Sequence, residues 1–277
     1  MKLTGWQRVL LILIPFLLVS GIFQFAGALL FNIPLYANGE MTSLQKMVLA
    51  LFNLMGTITV VWFFVCRIDQ EPFKRTGLMQ STPIAGLGIA AVLTCAMFVV
   101  GFFILEWWGE LNFVAIQFDF AAGFYLLVAY LAIAILEELL FRGYVLRNLL
   151  RSFREATALI LSSCLFSIFH LLNPTISWLG AINIFLVGLL FGIAYLCYRS
   201  LWLPVCIHFF WNFSQSLLGF RVSGQDAYSM IVIDLPEKNS WNGGDFGFEG
   251  SILAVVCQLV GIALLWRFYQ KKKGLAG

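Results

Sequence analysis

The sequence predicts an all-α, polytopic membrane protein with about eight transmembrane helices. Three observations predict it: the composition, the recurrence of apolar windows of about twenty residues, and the alternation of basic charge between them. Of 277 residues, 61% are hydrophobic and 11% are charged. An ordinary soluble chain carries about a quarter charged residues. A water-soluble domain of this length could not hide so much apolar surface, so lipid is the solvent for most of it. The net charge of +3 is small and scattered, and it points to no nucleic-acid partner. The six cysteines form no CxxC pair and read as small apolar packing residues.

The windows fall at 9–30, 47–66, 85–105, 121–141, 158–172, 181–198, 201–218 and 251–268. The first follows Lys2 and Arg8 and contains Ala26-Gly27-Ala28, which resembles a cleavage site; its length reads instead as an uncleaved first helix. The fifth and seventh are short or polar-interrupted, as expected of helices that line something. Asn173-Pro174 is expected to end the fifth. The 219–250 segment, rich in Gly, Ser, Asn and Asp, reads as an exposed loop. No further domain is expected, so 1–277 reads as a single integral membrane domain.

Charge fixes the predicted topology. Lys2 and Arg8 precede the first span, and Arg67, Lys74 and Arg75 follow the second. Arg142, Arg147, Arg151 and Arg154 follow the fourth, Arg199 follows the sixth, and Arg267, Lys271, Lys272 and Lys273 close the chain. The alternate connections are poor in Lys and Arg. Under the positive-inside rule this places both termini in the cytoplasm, in the plasma (inner) membrane, with lipid as the surrounding partner.

Ionisable groups inside spans are costly and mark function. The fourth span ends Leu136-Glu137-Glu138-Leu139-Leu140-Phe141-Arg142. Glu138 and Arg142, at i and i+4, share a helix face and can pair, a pair that also reads as purely structural. Glu137 is turned about 100° away and lacks that partner, so it is freer to gain and lose a proton. The chain's two histidines, His170 and His208, both fall in spans, and Asn212 lies one turn beyond His208.

Depth brings these residues together. A hairpin tip at Arg151-Ser152-Phe153-Arg154-Glu155 lies about sixteen residues, or roughly 24 Å of helix, from both Glu137 and His170. His208 lies about 10 Å inside the cytoplasmic boundary of its own span, a similar level once the hairpin's protrusion is subtracted. Such a set suits hydrolysis. Glu137 can take a proton from water and pass it to a leaving amine, with His170 holding that water. His208 and Asn212 can donate to a developing oxyanion. The same groups could instead hold Zn²⁺ through Glu137, His170 and His208. No HExxH favours a metal, and the hydrolytic reading requires no cofactor. Phe166, Phe209, Phe210 and Trp211 read as packing.

These residues resemble the CAAX protease and bacteriocin-processing family of intramembrane endopeptidases, also called the Abi family. The resemblance rests on Glu-Glu-x-x-x-Arg (Glu137, Glu138, Arg142), Phe-x-x-x-His (Phe166, His170) and His-x-x-x-Asn (His208, Asn212), in order over 137–212. It implies eight helices around a cytosol-facing cavity and hydrolysis of a peptide bond in a membrane-associated peptide or membrane-anchored protein. It also implies that Glu137 and His170 activate water while His208 and Asn212 stabilise the oxyanion. Both glutamic and metallo mechanisms are described in the family; the first is carried over here. Two other readings fit the same groups. One is a non-catalytic relative acting in bacteriocin immunity or as a membrane scaffold. The other is a transporter or channel that moves protons.

Overall fold

The computed structural model describes residues 3–34, 41–173 and 175–275. Lys2 and Pro174, both used in the topology above, lie outside them. Eight helices run through the described residues: α1 (Gly5–Leu30), α2 (Ser43–Phe63), α3 (Ile84–Trp107), α4 (Phe120–Glu138), α5 (Glu155–His170), α6 (Trp178–Tyr198), α7 (Trp202–Leu217) and α8 (Ile252–Gly274). α2 continues into a π turn, Phe64–Ile68. α4 widens into a π-helix over Leu139–Leu146 before a last α turn, Arg147–Leu149. Six of these helices are long and apolar enough to cross a membrane. α5 and α7, at 16 residues each, are the short ones, the pair singled out above by length and polarity.

The boundaries follow from capping chemistry. Thr42 accepts from the Gln45 amide at the start of α2, while the Gln45 side chain returns to the Thr42 amide. Asp119, Ser177 and Ser251 accept from the amides of Ala122, Gly180 and Ala254 at the starts of α4, α6 and α8. Each such cap meets a backbone donor that the first helical turn leaves unpaired.

α1 packs on α2, α2 on α4, α4 on α7 and α7 on α3, while α6 packs on α5, α7 and α8. The apolar window of α6 is 72% buried, against 22% for α1 and α3 and 17% for α8. α6 is therefore the central post, and the apolar surfaces of α1, α3 and α8 face lipid.

The two ends of the bundle differ. On the basic face, Arg8 and Arg147 both pair with Asp69, each at 3.2 Å, and Arg147 and Arg151 both bind Glu71. This network ties α1, the end of α2 and the end of α4 together. On the opposite face, β1 (Asn112–Ile116) pairs antiparallel with β2 (Ile231–Asp234), joining two connections distant in sequence. The sequence reading contained no strand, although Phe113, Val114, Ile231, Val232 and Ile233 are strand-forming types.

The 219–250 segment is not the exposed loop expected from its composition. Phe246 and Phe248 are 1% and 0% exposed. Gly247 takes φ +93°, and a Cβ there would lie 1.9 Å from the Arg221 carbonyl oxygen. Its glycines serve close backbone packing rather than solvent exposure.

Candidate active site

Glu137 and Glu138 leave the last α turn of α4 in different directions. Glu138 is fully buried and accepts from Arg142 Nη1 at 2.9 Å. Arg142, also 0% exposed, donates from Nη2 to the Gly188 carbonyl of α6 at 2.9 Å. Its guanidinium lies 4.5 Å from the Phe166 ring centroid and 5.2 Å from that of Phe191. Arg142 thus joins α4, α5 and α6 in one place, and the Phe166 that was read as packing forms one of its walls.

The histidines approach from the other two helices. His170, the last residue of α5, holds its Nδ1 2.7 Å from the Phe166 carbonyl oxygen. A carbonyl only accepts, so Nδ1 carries the hydrogen and Nε2 points at Glu137 Oε2, 3.6 Å away. His208 stacks on Phe191 with centroids 4.8 Å apart. Its Nδ1 meets Glu138 Oε1 at 3.1 Å, which aims Nε2 at the same Glu137 Oε2 from 3.9 Å. Glu137 Oε2 itself is buried and has no hydrogen-bond partner among the described residues. Asn212, one turn beyond His208, is buried at 6% exposure and lines the same cavity. All six predicted site residues therefore lie in one cluster. The His208–Glu138 contact was not anticipated, because spacing does not say which ring nitrogen a histidine commits.

Residues 119–214 match the Rce1-like family, described as type II CAAX prenyl endopeptidase. The matched segment runs from the cap of α4 through most of α7 and contains Glu137, Glu138, Arg142, His170, His208 and Asn212. The resemblance read from three short motifs is thus met by the family match, which points to a protease. No curated protein matches the chain.

Around this cluster lies a cavity of about 410 Å³, within the roughly 300–1,000 Å³ range of ligand pockets. Glu137, His170, His208 and Asn212 line it together with residues that sequence reasoning missed. Chief among these is Glu249, 7% exposed, which accepts from Trp211 Nε1 at 3.0 Å and from the Ser223 amide and hydroxyl at 2.8 Å. Burial pushes the Glu249 carboxyl up, against those hydrogen bonds. The signal available in the sequence was an acid two residues before the α8 cap, within the 219–250 segment read as an exposed loop.

The cavity lining also includes Met41, Lys46, Asn173 and Asp226. The 219–250 segment folds inward and supplies part of the wall through Val222, Ser223 and Glu249, where a solvated loop was expected.

Glu137, His170 and His208 converge, but among the described residues no three His, Cys, Asp or Glu side chains are arranged to hold a metal ion.

Proposed function

We propose that the protein is an intramembrane endopeptidase in which Glu137 activates water. The observation that carries this reading is the Glu137 Oε2 atom, buried without a partner among the described residues and faced by both imidazole Nε2 atoms at 3.6 and 3.9 Å. The carboxylate and the His170 Nε2 lone pair are both acceptors, too far apart to bond directly. A water between them satisfies both by donating one hydrogen to each.

Glu137 takes a proton from that water as its oxygen attacks the scissile carbonyl carbon. The tetrahedral oxyanion accepts from the Asn212 amide and from His208 when its Nε2 carries a hydrogen. Glu137 then returns the proton to the amide nitrogen, the C–N bond breaks, and an amine leaves with a free carboxyl remaining. Glu138 and Arg142 position this machinery: Arg142 holds Glu138, and Glu138 orients the His208 ring. No cofactor is required on this reading. The substrate is a peptide or membrane-anchored protein. The protein sits in the plasma (inner) membrane with the basic face and both termini in the cytoplasm.

The test is cleavage of membrane-extracted peptides by detergent-purified protein, with products read by mass spectrometry. Glu137→Gln keeps size and polarity but cannot take the proton, and it is expected to lose at least about 100-fold in rate. Wild-type cleavage is expected to survive chelator. Glu137→Gln cleaving at the wild-type rate refutes the glutamate role, and loss of wild-type cleavage in chelator moves the chemistry to a metal.

A further inference from the structure

Two carboxamides line the cavity from outside the matched segment. Asn53 stands on α2 and Gln24 on α1, each inside an apolar span. Of the buried polar side-chain atoms without a hydrogen-bond partner among the described residues, two belong to cavity-lining side chains: Glu137 Oε2 and Asn53 Oδ1. The mark that singles out the proposed base thus falls on one further residue. A carboxamide without a partner inside a span costs free energy, and a leucine of similar size would avoid that cost.

Helix packing sets where Asn53 lies. α2 and α4 run side by side in the same direction: Ala50 packs with Ala129 and Ala132, and farther along Phe64 meets Tyr144 with ring centroids 5.9 Å apart. Asn53, one turn beyond Ala50, is therefore level with Ile133, which lies one turn before Glu137. α1 runs the opposite way. A Cβ at Gly27 would meet Phe52 at 2.7 Å, and one at Gly56 would meet Ser20 at 2.9 Å, so Gln24 lies between those contacts at the level of Asn53. Both carboxamides stand about one turn, or roughly 5 Å, from Glu137 along the helix axes. An extended polypeptide covers that distance in about two residues.

We infer that Asn53, with Gln24 beside it, binds the main chain of the substrate, pairing with a peptide group about two residues from the bond that Glu137 addresses. A carboxamide presents a donor and an acceptor in one plane, the complement of a peptide C=O and N–H, and rotation about its last bond turns either end to the cavity. The walls beside the pair, Leu49, Leu126 and Ile133, suit apolar side chains. The occupant is therefore an extended, largely apolar polypeptide segment. Its register against the scissile bond rests on the peptidase reading; the subsite does not.

The test uses the full chain in detergent and one probe, a fluorescently labelled library of short, apolar synthetic peptides. Glu137→Gln protein, which holds peptides without cutting them, is expected to bind the library. Adding Asn53→Leu is expected to weaken that binding about tenfold, the loss of one or two hydrogen bonds. Asn53→Leu alone is expected to leave the thermal midpoint of the peptide-free protein at or above wild type, because it removes an orphaned polar group. Equal binding with and without Asn53 overturns the inference, as does a library that the Glu137→Gln protein does not bind. A lowered midpoint overturns it whatever the affinity, since the carboxamide then holds the bundle instead of the peptide. Wild-type cleavage of the library that Asn53→Leu leaves undiminished removes the subsite and keeps the peptidase reading. Asn53-dependent binding with no cleavage by wild type keeps the subsite and removes the peptidase reading alone.

Discussion

Arg142 offers the sharpest test of how the buried cluster is held. Arg142→Met keeps the length and apolar volume of the side chain but removes the cation. Four contacts go with it: the 2.9 Å pair with Glu138, the 2.9 Å bond to the Gly188 carbonyl, and the faces of Phe166 and Phe191 at 4.5 and 5.2 Å. Both members of the pair are 0% exposed, so the loss leaves a buried carboxylate without its cation. Removing one partner of such a pair costs about 3–5 kcal/mol, whereas removing both can be nearly neutral. The orphaned carbonyl and the two lost ring contacts place the expectation in the upper part of that range. The double variant Arg142→Met, Glu138→Gln removes both charges while leaving a carboxamide oxygen at position 138 to accept from His208 Nδ1. It is expected to recover about 2 kcal/mol or more of the single variant's loss. Equilibrium unfolding in mixed micelles, followed through the nine tryptophans, measures both. A single variant within about 1 kcal/mol of wild type, or a double variant no more stable than the single, refutes the view that an unpaired charge dominates.

Two further outcomes are expected. A Cβ at Gly5 would lie 1.9 Å from the Asn148 carbonyl oxygen, whereas one at Gly21 meets nothing within 4 Å. Gly5→Ala should therefore lower the thermal midpoint by prising α1 from the end of α4, at a cost of about 1–3 kcal/mol. Gly21→Ala should raise it slightly through helix propensity, and equal shifts would contradict the packing. Glu71 supplies the pH dependence: burial pushes its carboxyl up, but the hydrogen bond from Arg151 and the charges of Arg147 and Arg151 outweigh it and hold the group below its ordinary 4.5. The unfolded carboxyl protonates first as pH falls, so the stabilisation is present above about 4.5 and disappears as pH drops through the lowered value. Melting curves of wild type and Glu71→Gln should converge below that pH, and a constant gap would argue against it.

Much of this was legible in the chain. Apolar windows located every helix, and the short fifth and seventh helices stood out because a lipid-crossing helix needs length that they lack. Glu138 and Arg142 were placed on one face by i,i+4 spacing, and helix rise alone brought Glu137 level with His170. What stayed hidden depends on contacts between distant segments. Gly188 and Phe191 carry no mark that Arg142 will lie against them. The pairing of 112–116 with 231–234 links segments more than a hundred residues apart, beyond the reach of local pattern. The inward fold of 219–250 hid because glycines that permit tight packing have the same composition as glycines in a solvated loop.

The wide turn at Leu139–Leu146 has a consequence for how this chain can vary. A π segment holds one residue more than α geometry needs, so losing any one residue within it would let the helix relax into the ordinary, more stable form. The helix beyond would keep its register relative to Glu137, because the wide turn makes with one extra residue nearly the rotation an α segment makes without it; what would move are the residues inside the turn, Arg142 among them. A one-residue deletion there, even of a plain leucine, would therefore be felt at the Glu138–Arg142 pair and spare the helical turn beyond.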